Sequence, residues 1–144
     1  SDFDDGGMIN LYHYTNPRNV KGKDSLILDP QKFVTSKNSY SNNEWETSKY
    51  PRTFFYTDSE NKETIVNGTL LSTSVPISDI YDLKRDPEGY VAKNRHPTYG
   101  LRKDIEWTTM LKDIHSSYKG VYYSIGTPNI VAWFNPIEVF SQKE

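Results

Sequence analysis

Short stretches in which apolar and polar residues alternate recur along the chain, and this period of two is typical of half-buried β-strands. The first, Ile9–Thr15, is apolar at Ile9 and Leu11 and then carries the sequence Tyr-His-Tyr-Thr. Its polar-tipped residues favour either an edge strand or the wall of a ligand cleft. Residue composition predicts further strands at Pro51–Thr57, Thr69–Val75, Val121–Ile125 and Ile130–Phe134, with Ile137–Phe140 continuing in extended conformation. Ser25–Leu28 and Ile80–Leu83 are short apolar segments.

One longer segment, from Leu101 to Ser117, has the spacing of an amphipathic helix. Gly120 follows this segment and is the residue type that commonly ends a helix. A brief second helix is predicted over Tyr90–Asn94. The apolar stripe predicted for the long helix consists of Leu101, Ile105, Thr108, Leu111 and Ile114.

Strands at both ends of the chain with helices between them indicate an α+β fold in one domain, over residues 8–144. Residues 1–7 are acidic, end in two glycines, and are interpreted as a flexible lead or an expression remnant. No cysteine is present, which excludes disulfides, thiolate metal sites and a cysteine nucleophile. The formal net charge of −2 gives no global basic field for nucleic acid. No stretch has the length of apolar sequence that crosses a bilayer.

Two polar segments are candidate recognition loops. Thr35–Lys49 is rich in Ser, Asn, Lys and Glu and carries Tyr40 and Trp45, which would form a lid or recognition loop, or simply anchor the loop to the domain. Lys93–Lys103 collects His96 and the four cationic residues Lys93, Arg95, Arg102 and Lys103. This basic loop either contacts phosphates or is a solvated surface.

Two residues stand out as candidates for chemistry. His13 lies in an apolar strand, where a structural histidine is the alternative to a functional one. Glu138 has the apolar neighbours Ile137 and Val139. Burying an ionised carboxylate in such a run is costly unless it has a partner, whereas simple strand alternation would place Glu138 outward. His115, near the end of the long helix, is interpreted as a surface or helix-capping residue.

The motifs as a set resemble ADP-ribosyltransferases of the His-Tyr-Glu type, in particular divergent bacterial and phage members. Leu11–Thr15 resembles the opening motif of that family, Phe54–Tyr56 its tyrosine-bearing strand, and Glu138 has about the position of its catalytic glutamate. Gly120–Tyr123 resembles the tyrosine motif as well and is the second choice for it. The resemblance implies an ADP-ribosyltransferase-like split β-sheet core with a few helices.

The resemblance also implies roles for individual residues around NAD. His13 would hydrogen-bond a ribose hydroxyl, the Tyr14 and Thr15 region would hold the nicotinamide amide, and Tyr56, with Phe55 beside it, would stack on the nicotinamide ring. Glu138 would stabilise the oxocarbenium-like cation as nicotinamide leaves. Arg52 or the basic loop would neutralise the pyrophosphate.

The function implied is that of an NAD-dependent mono-ADP-ribosyltransferase that modifies a protein or nucleic acid, as toxin-like members of the family do. The expected setting is the cytoplasm, or the cytoplasm of a target cell into which the protein is delivered. Neither a metal nor a membrane partner is expected. Two alternatives stay open: an NAD glycohydrolase, and a catalytically inactive domain of the same fold that binds a partner through Tyr40, Trp45 and the basic loop.

Overall fold

A computed structural model describes residues 6–33, 50–58, 68–95, 104–124 and 129–141. Within them, the predicted strands and helices are confirmed with shifts of a few residues at the ends, and the two short apolar segments Ser25–Leu28 and Ile80–Leu83 also contain strands. The strands are β1 (Met8–Thr15), β2 (Ser25–Leu28), β3 (Thr53–Tyr56), β4 (Thr69–Pro76), β5 (Ile80–Asp82), β6 (Gly120–Ser124), β7 (Asn129–Trp133) and β8 (Ile137–Ser141), and the helices are α1 (Tyr90–Asn94) and α2 (Asp104–His115).

The strands form one mixed sheet of eight strands in the order β2-β8-β4-β1-β3-β7-β6-β5. Only β5 and β6 pair in parallel among these neighbours. β1 pairs with β4 over eight residues, from Met8 with Pro76 to Thr15 with Thr69. On its other side β1 pairs with β3 at one position, Tyr12 with Tyr56. This seam divides the sheet into two four-stranded halves, β2-β8-β4-β1 and β3-β7-β6-β5.

The two faces of the sheet can be followed through the strand register, because paired residues point to the same side. The His13 face carries His13, Leu71 and Ser141 in one line across β1, β4 and β8. The Tyr12 face carries Tyr12, Ser72 and Phe140 in the adjacent line. Buried residues on the His13 face form one core that draws on both halves of the sheet, including Ile9, Leu11, Phe55, Leu71, Val131, Trp133 and Val139.

The helices cover the Tyr12 face of the second half-sheet, where they form a second core. Val121 and Ala132 lie in register there and are fully buried. The helix predicted from Leu101 begins at Asp104 among the described residues, and its buried side differs from the predicted stripe. Leu111 and Ile114 are buried as predicted, whereas Thr108 is only partly buried. Trp107 and Met110 are buried as well, beside the predicted stripe, while Leu101 and the side chain of Ile105 lie outside what the structure describes.

Asp86 organises the connection between β5 and α1. It is the one described residue other than glycine with a positive φ, at 48°. Its carboxylate accepts hydrogen bonds from the backbone N–H groups of Tyr90, at 2.8 Å, and Val91, at 2.9 Å. It also accepts one from the hydroxyl of Tyr81, a fully buried side chain. One carboxylate therefore caps the helix and satisfies a core phenol.

The described elements make up a single domain of mixed α and β structure. No helix within them has the length and apolar character needed to cross a membrane. Gly7, at the end of the predicted lead segment, accepts a hydrogen bond from the backbone N–H of Ile77 at 2.8 Å. The main chain at Gly7 is thus attached to the segment that follows β4.

Candidate functional site around His13

His13 is held in one orientation by the seam of the sheet. Its Nδ1 lies 2.8 Å from the carbonyl oxygen of Phe54 in β3. A carbonyl oxygen can only accept a hydrogen bond, so Nδ1 carries the proton and donates it. The imidazole also packs at a tilted angle on Phe55, with 5.6 Å between the ring centroids. Both contacts come from β3 and fix the tautomer and the plane of the ring.

The second nitrogen of His13, Nε2, has no hydrogen-bond partner in the described part of the chain. Burial lowers the pKa of His13 below its ordinary value, an effect only partly opposed by the hydrogen bond to Phe54. The imidazole is therefore neutral at pH 7, with Nε2 as an unprotonated acceptor. Such a nitrogen can accept a hydrogen bond from a hydroxyl group or act as a general base.

The lowered pKa predicts that acid destabilises the protein. The unfolded chain binds a proton at His13 near pH 6.5, while the folded chain binds it only at lower pH, so stability falls as the pH drops below 6.5 towards the folded-state pKa. We expect His13→Gln to remove this part of the pH dependence. Urea unfolding at pH 7.5, 6.5 and 5.5 measures it, and equal slopes for both proteins would contradict the prediction.

Of the other residues predicted to bind NAD, Thr15 and Phe55 share the His13 face. The register places Thr15 two residues along β1 from His13, and its hydroxyl accepts a hydrogen bond from the side-chain amide of Asn19 at 2.9 Å. Phe55 is only 1% exposed, so its ring is part of the core, and it packs against the imidazole of His13. These two residues thus shape the surroundings of the imidazole.

Tyr14, Tyr56 and Glu138 lie on the Tyr12 face, opposite His13. Tyr14 is two residues from Tyr12 on β1, and Tyr56 is paired with Tyr12. Glu138 is two residues from Phe140 on β8, and Phe140 is in line with Tyr12. The structure therefore does not bring the predicted catalytic residues together: the imidazole of His13 is on one side of the sheet, and the side chains of Tyr56 and Glu138 are on the other.

The surroundings of Glu138 agree with strand alternation. Ile137 and Val139 are buried, and Glu138 between them is exposed. Its carboxylate accepts a hydrogen bond from the hydroxyl of Ser25 at 3.1 Å. An exposed carboxylate with one hydroxyl partner is screened by water and does not have the dry environment in which a fixed charge contributes most to catalysis.

Arg52 is also on the Tyr12 side. Its guanidinium carbon lies 5.0 Å from the centroid of the Phe54 ring, and Phe54 is two residues from Tyr56 on β3 and therefore points to the same face. The side chain is only 5% exposed. It therefore does not share the surface on which His13 presents Nε2, and the structure separates it from the ribose-binding residue that the resemblance implied.

A second titratable cluster joins segments that are far apart in sequence. The hydroxyl of Tyr50 lies 2.5 Å from Nδ1 of His115, and Nε2 of His115 lies 2.9 Å from the side-chain oxygen of Asn135. The imidazole stacks on Phe134 with 4.5 Å between centroids. His115 was interpreted as a surface or capping residue, but both of its nitrogens have partners. No local sequence pattern at Tyr50 or Asn135 predicts their hydrogen bonds to His115.

The Tyr12 face of the first half-sheet is open and partly apolar. Met8, Ile27 and Phe140 are 60%, 67% and 48% exposed, and they are the exposed large hydrophobic residues of the described chain. Register places all three on this face. Two shallow cavities of about 280 and 400 Å³ flank Tyr12 and share Asn10 as a lining residue. We refer to Met8, Ile27, Phe140 and Tyr12 together as the open patch.

Both candidate loops fall mainly outside the described residues. Tyr40, Trp45 and all of Thr35–Lys49 do so, as does the part of the basic loop from His96 to Lys103. Of the described basic residues, Lys93 places its ammonium group 4.9 Å from the centroid of the Tyr90 ring. Across the described segments, no group of three or more histidine, aspartate or glutamate side chains is arranged to hold a metal ion.

Comparison with known proteins adds no relative from which a role could be transferred. No protein-family model matches the chain, and neither a curated protein nor a solved structure is significantly similar to it. The function therefore has to be argued from the residues of this chain.

Proposed function

We propose that this protein is an NAD-dependent mono-ADP-ribosyltransferase in which His13 binds a ribose hydroxyl of NAD. The observation that supports it is the state of His13: Nδ1–H is committed to the carbonyl of Phe54, and Nε2 is an unprotonated acceptor without a partner in the described chain. A ribose hydroxyl supplies the donor that this nitrogen lacks. The fold proposed with this function is the split-sheet type of the family, with the seam between β1 and β3 as the split.

The reaction breaks the glycosidic bond between nicotinamide and ribose, and neutral nicotinamide departs with the bonding electron pair. A nucleophilic group on the acceptor then bonds to the same ribose carbon and releases a proton to water. If water takes the place of the acceptor, the protein is an NAD glycohydrolase. His13 would hold the ribose during this step and would not exchange a proton with it.

Glu138 does not fit the catalytic role that the resemblance implied. A carboxylate stabilises a developing cation only when the two are close and shielded from water. A carboxylate on the Tyr12 face is separated from a ribose on the His13 face by the thickness of the sheet. We therefore assign Glu138 no part in the reaction, and the proposal for NAD rests on His13 together with the motif resemblance.

Nicotinamide release from labelled NAD, measured with cell lysate present, tests the proposal. We expect release by the wild type, a loss of at least about tenfold, the equivalent of 1.4 kcal/mol, in His13→Ala, and less than a twofold change in Glu138→Ala. Glu138→Ala is the matched control, because the side chain is exposed and changes neither core. A second label on the adenine ring shows whether ADP-ribose is attached to protein or nucleic acid.

Each result has a defined meaning. Release without transfer of the second label would identify the glycohydrolase. A loss of release in Glu138→Ala comparable to that in His13→Ala would contradict the separation of the two residues. Absence of both release and NAD binding, measured by calorimetry on the wild type, would reject the enzyme altogether.

A second candidate function is that of a non-catalytic binding module, and the open patch favours it. Its three large apolar side chains are exposed on one face of the sheet with polar residues between them, and exposed apolar groups gathered on one face are a feature of interaction surfaces. NAD calorimetry separates the two candidates, because a module that binds through Met8, Ile27 and Phe140 requires no nucleotide. Heat of NAD binding that disappears in His13→Ala would favour the enzyme.

A further inference from the structure

Arg52 is a buried cation whose hydrogen bonds are only partly satisfied. Its Nη1 donates to the backbone carbonyl of Tyr50 at 3.0 Å. Its Nε and Nη2 are both inaccessible to solvent and have no hydrogen-bond acceptor among the described residues. The Phe54 ring lies on one side of the guanidinium, with 5.0 Å from its centroid to the guanidinium carbon.

The two unsatisfied nitrogens are neighbours on one edge of the guanidinium plane. Nη1 lies on the other edge and points towards Tyr50. The N–H groups of Nε and Nη2 are therefore parallel and point away from the Tyr50 carbonyl. This edge is the one that binds a carboxylate or a phosphate with two parallel hydrogen bonds. Arg52 is thus oriented by Tyr50 and Phe54 with its bidentate edge unoccupied.

The charge on Arg52 is not neutralised within the described chain. Guanidinium stays protonated at every pH at which proteins fold, so burial cannot remove its charge. Within the part of the chain that the structure describes, the guanidinium contacts the Tyr50 carbonyl and the Phe54 ring, and neither carries a formal charge. A buried charge without a counter-charge is destabilising, and an anion hydrogen-bonded to this edge would offset that cost.

We propose that the Nε and Nη2 edge of Arg52 binds an oxyanion, a phosphoryl or carboxylate group of a small ligand. The guanidinium lies against the Phe54 ring and the two nitrogens are shielded from water, which strengthens the attraction between the guanidinium and an anion. The site is on the Tyr12 side of the sheet, whereas His13 is on the other. It is separate from the proposed ribose contact and does not depend on the ADP-ribosyltransferase function.

The nitrogens are closed to solvent in this structure, so an anion enters when the side chains around the guanidinium open locally. A ligand that binds only the folded state raises the melting temperature. For a chain of 144 residues, a ligand at ten times its Kd should raise Tm by about 3–6 °C. The relevant comparison is with chloride at the same ionic strength, which removes general screening effects.

Thermal unfolding in inorganic phosphate, acetate and chloride tests the site with three proteins: wild type, Arg52→Lys and Arg18→Lys. Lysine keeps the charge at position 52 but lacks the bidentate edge. Arg18 is exposed on the surface and is the matched control. We expect phosphate or acetate to stabilise the wild type and Arg18→Lys by the same amount, and Arg52→Lys by less than a third of it.

The choice of anion identifies the ligand group. Stabilisation by phosphate alone indicates a phosphoryl ligand, and stabilisation by acetate alone indicates a carboxylate ligand. No stabilisation by either, or an equal effect in Arg52→Lys, overturns the proposal.

A direct measurement covers the case in which Arg52→Lys does not fold. The Nε–H signal of Arg52 in a ¹H–¹⁵N spectrum of the wild type should move on titration with phosphate or acetate and reach saturation. The Nε–H signal of Arg18 should show no saturating change. If the Arg52 signal stays in place with both anions, the site does not bind oxyanions and the proposal is rejected.

Discussion

Asp86→Ala is expected to lower the free energy of unfolding by about 3–5 kcal/mol. Three effects add to this loss. Alanine in the left-handed region costs about 1–2 kcal/mol. Removing a helix cap costs about 0.5–2 kcal/mol. The hydroxyl of Tyr81 would lose its acceptor inside the core, at about 1–3 kcal/mol. Burial and the hydrogen bond to Asp86 raise the pKa of Tyr81, so the phenol remains a donor that needs this partner.

Asp86→Asn is the informative control for this prediction. Asparagine tolerates positive φ and keeps one oxygen that can accept from the same donors, so we expect it to lose less than half as much stability as alanine. Urea unfolding at pH 7 measures both variants. Equal losses in the two would mean that the negative charge, and not the conformation and the hydrogen bonds, accounts for the role of Asp86.

Gly120→Ala is expected to lower the free energy of unfolding by about 1–3 kcal/mol, the usual cost of overpacking a core. A Cβ atom at this position would lie 2.8 Å from Cε3 of Trp133 and 3.0 Å from the carbonyl oxygen of Ala132. Trp133 is 5% exposed and belongs to the core on the His13 face, so its ring has little room to move away. Gly120 is therefore required by the close approach of β6 and β7.

A double-mutant cycle shows whether the ring of Trp133 causes the clash. In a Trp133→Leu background the ring atom is gone and only the contact with the Ala132 carbonyl remains. We expect Gly120→Ala to cost at least about 0.5 kcal/mol less there than in the wild type, which is above the coupling seen between independent sites. A neutral or stabilising effect of Gly120→Ala alone would show that the strands can separate at this point.

The sequence predicts the elements well and their arrangement poorly. Residue pattern and composition locate β1 and β4, and each of these strands has one face in a core and one outside it. The stripe predicted on α2 includes the buried Leu111 and Ile114 but leaves out Trp107 and Met110, which also lie on the side that meets the sheet. Sheet order depends on contacts between residues far apart, such as Ile27 with Glu138, for which the local pattern carries no information.

The candidate site was predicted in part. His13 stands out as a histidine in an apolar strand, and its fixed tautomer, with no partner for Nε2 among the described residues, is consistent with a functional role. Grouping His13 with Tyr56 and Glu138 requires that all three side chains point to the same face of the sheet. A shift of one residue in the strand register moves a side chain to the opposite face, and the sequence does not determine this register. The contact of Tyr50 with His115 and the burial of Arg52 depend on residues brought together by the fold, and no local sequence pattern indicates them.

The seam between β1 and β3 has a consequence for how the protein unfolds. The two half-sheets share backbone pairing at Tyr12 and Tyr56, and the hydrogen bond from His13 to Phe54 crosses the same line. Elsewhere along the boundary it is the core on the His13 face that joins them. Cooperative unfolding of the whole sheet therefore depends on side-chain packing between the half-sheets. If that packing were lost, the two half-sheets would unfold independently, because each has its own backbone pairing.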